Sequence, residues 1–122
     1  MSQRQSMSGH DVLDATATLV RRGWCCGAAA RDFSGEAVAA YDPAATAWSL
    51  TGALALVSER ADASLGALSD ALWGISGVIE ESSLDAWNDS TGRTQVQALR
   101  MLDEASCSLT RDPPPDGAVS LN

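Results

Sequence analysis

Two segments with helical periodicity are joined by Trp87-Asn88-Asp89-Ser90-Thr91-Gly92-Arg93-Thr94, and this stretch decides how the chain turns between them. It concentrates an indole, an amide, a carboxylate and a guanidinium in one short corner. In the structural interpretation, Trp87 anchors the core, Asn88 or Asp89 caps the last helix, and Asp89 forms an i,i+4 ion pair with Arg93. In the functional interpretation, Asp89, Arg93 and Thr94 form a polar pocket for a small anion or for a side chain of a partner. Caps and ion pairs are commoner than binding sites, so the structural interpretation is favoured.

The segment before this corner has the strongest helical periodicity in the chain. Its apolar residues recur at alternating steps of three and four, which predicts a helix over about Asp62–Ile79: Leu65, Leu68, Leu72, Ile75 and Ile79. Glu80 and Glu81 follow at its C-terminal end, where negative charge is unfavourable, so we expect the helix to end there. Ser83–Trp87 is expected to form one short turn. If the leucine stripe is partly exposed, it would suit a homodimer interface.

The N-terminal half starts with a helix and continues into a segment with two interpretations. The helix is predicted over Asp11–Arg22, with Ser8 as its cap and Gly23 at its end. After it, Asp32–Gly35 carries turn residues, and the arms around this turn form either a short β-hairpin or an irregular loop. Both interpretations stay open because alanine, which fills the arms, is a weak strand former.

A second helix is predicted from Pro43 to about Arg60. Asp42-Pro43 is typical of a helix start, because a capping carboxylate precedes a proline at the first helical position. Gly52 in the middle of this helix costs about 1 kcal/mol relative to alanine. A close crossing with another helix would explain that glycine.

The last helix is predicted from Gly92 or Arg93 to about Leu109, with four apolar residues facing inward: Val96, Leu99, Leu102 and Leu109. Residues 110–122 include the run Pro113–Pro115 and are expected to be a disordered tail, as are residues 1–9. Residues 10–109 would then be one domain. The expected fold is all-α, a small four-helix domain with or without one short β-hairpin between the first two helices.

Charge and composition exclude several classes of protein. The 122-residue chain has a net charge of −8 and contains arginine but no lysine. Proteins that bind DNA or RNA normally present a basic surface, so direct nucleic-acid binding is disfavoured. An acidic surface instead favours a protein partner with a basic surface. No apolar run has membrane length and no signal-peptide core is visible, so we expect a cytoplasmic protein without membrane contact.

Residues for catalysis or metal binding are few. His10 is the only histidine, and the adjacent Cys25 and Cys26 lack the spacing of a zinc site, so no metal and no other cofactor are expected. A cysteine nucleophile needs a base and an orienting group, whereas His10 is predicted outside the core. Cys25 is therefore interpreted as a small buried hydrophobe. Asp85 and Asp89 share one helical face, but two carboxylates alone are a poor cage for a cation.

Several short motifs follow one another along Val12–Leu109: Gly23-Trp24-Cys25, Ala30-Arg31-Asp32 with Gly35, Asp42-Pro43, Trp48, Gly52-Ala53-Leu54, Trp87-Asn88-Asp89 and Arg93-Thr94. In this order they resemble a family of small bacterial and phage proteins known only as a domain of unknown function. The resemblance implies no reaction, ligand or partner. Members of that family usually have glutamine at the position of Cys26 and often cysteine at that of Ser49, which argues against a thiol pair as a shared working part.

The expected function is docking, without catalysis. The chain is predicted to be a non-enzymatic, acidic protein-binding module whose partner has a basic surface. In its most concrete form, it is an inhibitor of the anti-CRISPR or anti-defence type, encoded by a phage or mobile element and directed at a nucleic-acid-binding host machine. The alternative is a small ligand-binding protein or enzyme that uses the Asp89/Arg93 corner. The candidate contact residues are Glu80, Glu81, Asp85, Trp87, Asn88, Asp89, Arg93 and Thr94.

Overall fold

In the residues that the structure describes, five helices and a three-stranded antiparallel sheet form a mixed α/β fold, so the predicted all-α, four-helix fold is wrong. The structure, a computed structural model, describes residues 7–60, 64–81 and 83–115. In chain order, the elements are α1 Gly9–Arg22, β1 Ala30–Asp32, β2 Ala37–Val38, β3 Ala45–Trp48, α2 Leu50–Arg60, α3 Leu65–Ser76, α4 Leu84–Asn88 and α5 Gln95–Arg111. Residues 1–6 and 116–122, which belong to the predicted disordered ends, lie outside the described residues. Within the described ranges, no helix is both long and apolar enough to cross a bilayer.

Helix α1 is the central element, and it starts at the predicted cap. The Ser8 hydroxyl accepts from the Asp11 backbone N–H (3.1 Å), and the Asp11 carboxylate accepts from the Ser8 N–H (3.0 Å). This capping box satisfies two backbone donors at once. The helix packs against α2, α3 and α5, and Val12, Leu13 and Val20 are almost completely buried. Each such side chain contributes about 1.5–3 kcal/mol through burial.

The hairpin after α1 forms, and a third strand extends it into a sheet of order β2-β1-β3. Ala30 in β1 pairs with Val38 in β2 on one side and with β3 on the other. Asp32 organises the turn, because its Oδ1 accepts from the Ser34 hydroxyl (2.7 Å) and from the backbone N–H groups of Ser34 and Glu36 (2.9 Å each). These hydrogen bonds, led by the Ser34 hydroxyl, lower the pKa of Asp32 below its ordinary 3.8. Turn chemistry thus outweighs the weak strand propensity of alanine.

The predicted start of the second helix at Pro43 is wrong. Asp42 caps only a single turn, in which its Oδ1 accepts from the Ala44 N–H (2.8 Å). Residues 45–48 then leave that turn and pair with β1 as strand β3. Their backbone groups bond to a segment far away in sequence, so the local helix signal did not indicate this outcome.

Trp48 and Ser49 form the junction between the sheet and α2. The Trp48 backbone N–H donates to Gly23 O (3.0 Å), and its buried indole donates to Ala40 O (3.0 Å). Ser49 is the true cap of α2, because its hydroxyl accepts from the Gly52 N–H (3.0 Å). A single residue, Ser49, therefore separates the end of the strand from the start of the helix.

Only part of the predicted leucine stripe of α3 faces inward. Leu65 is 84% exposed and Leu72 43% exposed, whereas the buried residues are mostly small: Ala67, Ala71, Gly74 and Ile75. The cause is close packing against α5, since a Cβ on Gly74 would lie 2.7 Å from the carbonyl oxygen of Ala105. Asp62, at which the predicted helix began, lies outside the described residues.

Helices α4 and α5 enclose the corner. The single short turn predicted before the corner is present as α4. Thr94 caps α5, because its hydroxyl accepts from the Gln97 N–H (3.2 Å) while the Gln97 side chain accepts from the Thr94 N–H (3.1 Å). The prediction that Asn88 or Asp89 caps this helix is therefore wrong. Val96 is also 60% exposed instead of inward, whereas Leu102 and Leu109 are buried.

Candidate functional site

Asn88 is the centre of the corner, and its side chain is fully buried. Its Oδ1 accepts from the Trp24 indole (2.8 Å) and from the Leu50 backbone N–H (3.1 Å). Its Nδ2 donates to the Cys25 carbonyl (3.1 Å) and to the Asp89 carboxylate (2.9 Å). An amide side chain can accept two hydrogen bonds and donate two, so all four are used. Asn88 thus joins α4 to the loop after α1 and to the start of α2.

Asp89 and Arg93 make contacts with different groups. The Asp89 carboxylate accepts from Asn88 and from the Gly27 N–H (3.0 Å), and these bonds, the Asn88 bond first, lower the pKa of Asp89 below its ordinary 3.8. Arg93 Nε donates to the Trp87 carbonyl (2.8 Å), and its guanidinium lies 3.7 Å from the centre of the Trp87 ring. This cation–π contact contributes about 0.5–1 kcal/mol where solvent reaches it. Arg93 thus contacts Trp87 instead of forming the ion pair with Asp89 that the sequence predicted.

A polar cleft of about 240 Å³ lies next to Asp89, and Arg93 is absent from its lining. Thr51 donates its hydroxyl hydrogen to Asp85 across this cleft (2.6 Å). The carboxylates of Asp85 and Asp89 lie beside the first turn of α2, where negative charge stabilises a helix by about 0.3–1 kcal/mol. The lining consists of Gly27, Ala28, Ala29, Ser49, Thr51, Asp85 and Asp89. Helix stabilisation and internal hydrogen bonds account for these polar groups.

No metal-binding cluster is present in the part of the chain that the structure describes, where no three His, Cys, Asp or Glu side chains converge. Cys25 is 8% exposed, and burial raises the pKa of its thiol, although the charge of Arg31 opposes the rise. His10 contacts Ser106 O (3.2 Å) and the Thr110 hydroxyl (2.8 Å) at the opposite end of α1 from Cys25. The 14 residues of α1 span about 20 Å. His10 therefore cannot act as a base for Cys25.

The exposed carboxylates of Glu80, Glu81, Asp85 and Asp89 form an acidic segment. Residues 80–89 contain no basic side chain. Glu80 and Glu81 lie between α3 and α4, and Asp85 and Asp89 lie at the two ends of α4. All four were candidate contact residues from the sequence, and they remain accessible to a partner.

An open apolar groove lies between α2 and α3, and the sequence did not predict it. Both helices pack on α1 but make little contact with each other. The groove has a volume of about 590 Å³ and is lined by Thr51, Leu54, Ala55, Ser58, Glu59, Leu68, Leu72 and Leu84. An adjoining cavity of about 250 Å³ shares Leu72 and Leu84 and includes Glu81, which extends the groove toward the acidic segment. The leucine stripe of α3 was the available signal, and the sequence linked its exposure only to a homodimer interface.

A family model described as a family of unknown function (DUF6197) matches residues 7–106. The matched region includes the corner, the acidic segment and the groove. Comparison with curated proteins and with solved structures found no match.

Proposed function

This chain belongs to that family of unknown function, and we propose that it is a non-enzymatic, cytosolic module that binds a basic protein partner through its acidic segment. One observation carries the proposal: residues 80–89 present four exposed carboxylates, without any basic side chain, beside an open apolar groove. Charge complementarity of this kind accelerates encounter and selects partners of opposite sign. The polar groups of the corner support docking over catalysis, because Asn88 and Asp89 already bond to protein groups.

In the most concrete form of the proposal, the chain is an anti-defence inhibitor, of the anti-CRISPR type, encoded by a phage or mobile element. An acidic surface competes with nucleic acid for the basic groove of a host machine that binds DNA or RNA. The net charge of −8 supports this form. Competition between the protein and nucleic acid for the purified partner is its direct test, and simultaneous binding of both would contradict it.

The experiment compares three immobilised proteins in a lysate of the native host. One is the wild type, one is Glu80→Gln/Glu81→Gln/Asp85→Asn, and the control is Asp14→Asn/Asp103→Asn/Glu104→Gln, which removes three exposed carboxylates elsewhere. We expect the wild type and the control to retain the same protein, identified by mass spectrometry, and to release it as salt rises. We expect the first variant to lose it. Equal retention by all three proteins would contradict the proposal.

The alternative, a small ligand-binding protein or enzyme that uses the Asp89/Arg93 corner, has less support because Arg93 stacks on Trp87. A thermal-shift screen against nucleotides and metabolites separates the two functions, since a ligand that binds the folded state raises Tm. A rise that disappears in Asp89→Asn would favour the alternative.

A further inference from the structure

The walls of the groove are helices α2 and α3, which both pack on α1. Helices α2 and α3 each pack along α1 and are open to solvent between them, with Leu84 of α4 at one end. Leu54 and Ala55 face the groove from α2, and Leu68 and Leu72 face it from α3. A third helix in this position would contact both walls. An apolar groove between helices is the usual receptor for an amphipathic helix, whose anchors lie at i, i+3, i+4 and i+7.

The outward face of α3 lacks charged side chains. Its exposed residues are apolar, small or neutral: Leu65, Gly66, Ser69, Leu72, Trp73 and Ser76. Asp70 is the one charged residue in the 12 residues of α3, and it is turned toward Gly9 of α1. In a chain with 20% charged residues, such depletion over a whole helix face is typical of the centre of an interface.

The rim of the groove identifies the charge of the occupant. Glu59 lines the groove and Glu81 lines the adjoining cavity, whereas none of the described arginines lines either. Asp85 lies next to the groove through its hydrogen bond with Thr51. We propose that the groove receives the apolar face of a basic amphipathic helix from a partner protein. This inference rests on the proposed function and specifies the element of the partner that binds.

A second copy of this chain is a poorer occupant. It would bring a rim with the same carboxylates against Glu59 and Glu81. None of the five described helices has more basic than acidic residues: α1 and α5 each contain two of both signs, α2 one of each, and α3 and α4 only an aspartate. The described chain therefore offers no basic helix to its own groove.

The test uses a synthetic peptide of about 14 residues, or four helical turns, with leucine at i, i+3, i+4 and i+7 and lysine on the flanks. A control peptide has the same composition in shuffled order. Binding to the full chain is measured by fluorescence anisotropy at physiological salt. We expect the ordered peptide to bind at least about tenfold more tightly than the shuffled one.

Three variants localise the binding. Leu72→Asp and Ala55→Arg change exposed positions on opposite walls, and we expect each to weaken binding of the ordered peptide at least about tenfold. The matched control Val96→Asp, on the exposed side of α5, is expected to bind like the wild type. Circular dichroism tests whether each variant is folded. Two wall variants guard against the case in which one of them fails to fold.

Three results would overturn the inference. The first is equal affinity of the two peptides, and the second is wild-type affinity for the ordered peptide in both wall variants. The third result is a dimer of the chain that depends on Leu72 and does not bind the peptide. The lysate experiment separates these failures from failure of the proposed function. If the acidic-segment variant still loses the host protein, only the groove assignment is wrong. If the peptide binds in the groove while that variant keeps its host protein, only the role of the acidic segment is wrong.

Discussion

The buried side-chain amide of Asn88 connects α4 to the loop after α1 and to the start of α2. In Asn88→Ala, the Trp24 indole, the Leu50 N–H and the Cys25 carbonyl lose their partner. Each unsatisfied buried group costs about 1–3 kcal/mol, so we expect the free energy of unfolding to fall by about 3 kcal/mol or more. Urea denaturation followed by circular dichroism measures this change. The control Ser90→Ala removes one hydroxyl bond at the end of α4 and should change the free energy by less than about 0.5 kcal/mol.

The three cysteines should differ in reactivity toward iodoacetamide. Cys26 and Cys107 are exposed, whereas Cys25 is buried and burial raises the pKa of its thiol. Because the thiolate is the reactive form, we expect rapid labelling of Cys26 and Cys107 at neutral pH and labelling of Cys25 only after unfolding. Peptide mass spectrometry with and without denaturant measures the difference. Rapid modification of Cys25 in the folded protein would contradict its assignment as a buried apolar side chain.

Asp32 and Asp89 link stability to acid pH. Hydrogen bonds lower the pKa of both carboxyls below 3.8, so each binds its proton more weakly in the folded chain. Each contributes stability that is present above about pH 3.8 and is lost as pH falls through the lower folded pKa. The variant Asp32→Asn/Asp89→Asn should therefore lose less stability than the wild type over this acid range. Parallel Tm–pH profiles would count against this link.

At the scale of the elements, α2 depends on a close approach between two backbones. A Cβ on Gly52 would lie 2.1 Å from the carbonyl oxygen of Ala29 in the loop before β1. This neighbour is a loop, so the helix crossing predicted for this glycine is wrong. Although alanine is the better helix former, we expect Gly52→Ala to lower the free energy of unfolding by about 1–3 kcal/mol.

Gly66→Ala is the matched control in α3, where the nearest atom to the added Cβ is the Ser64 hydroxyl at 3.7 Å. This distance is an ordinary van der Waals contact without a clash, so helix propensity should dominate and stabilise the protein by up to about 1 kcal/mol. Denaturant unfolding of both variants tests the contrast. A loss of similar size in both would show that the Ala29 contact is not the cause.

Local chemistry predicted some elements and long-range bonds determined the others. The cap of α1 and the hairpin turn were predictable because Ser8 and Asp32 bond within a few residues. Strand β3 was not, because its pairing depends on β1 and on Gly23, far from the local signal at Asp42. The sequence also did not show which leucines of α3 are buried, because the periodicity is the same whether they face the core or a groove.

At the scale of the whole molecule, the sequence predicted the chemistry of the candidate surface and missed its shape. Glu80, Glu81, Asp85 and Asp89 were evident from charge, and all four are exposed. The tertiary contacts of Asn88 and the apolar groove depend on packing between distant helices, which no local pattern encodes. The resemblance to a family of unknown function is confirmed, since a model of such a family matches most of the chain.

Helix α1 is the spacer between α2 and α3, because both pack on it and make little contact with each other. The distance between the two groove walls is therefore set by the thickness of α1 where they pack on it. A larger or smaller side chain on the buried face of α1 would therefore widen or narrow the groove. The affinity for a bound helix would change even though every residue that lines the groove stayed the same.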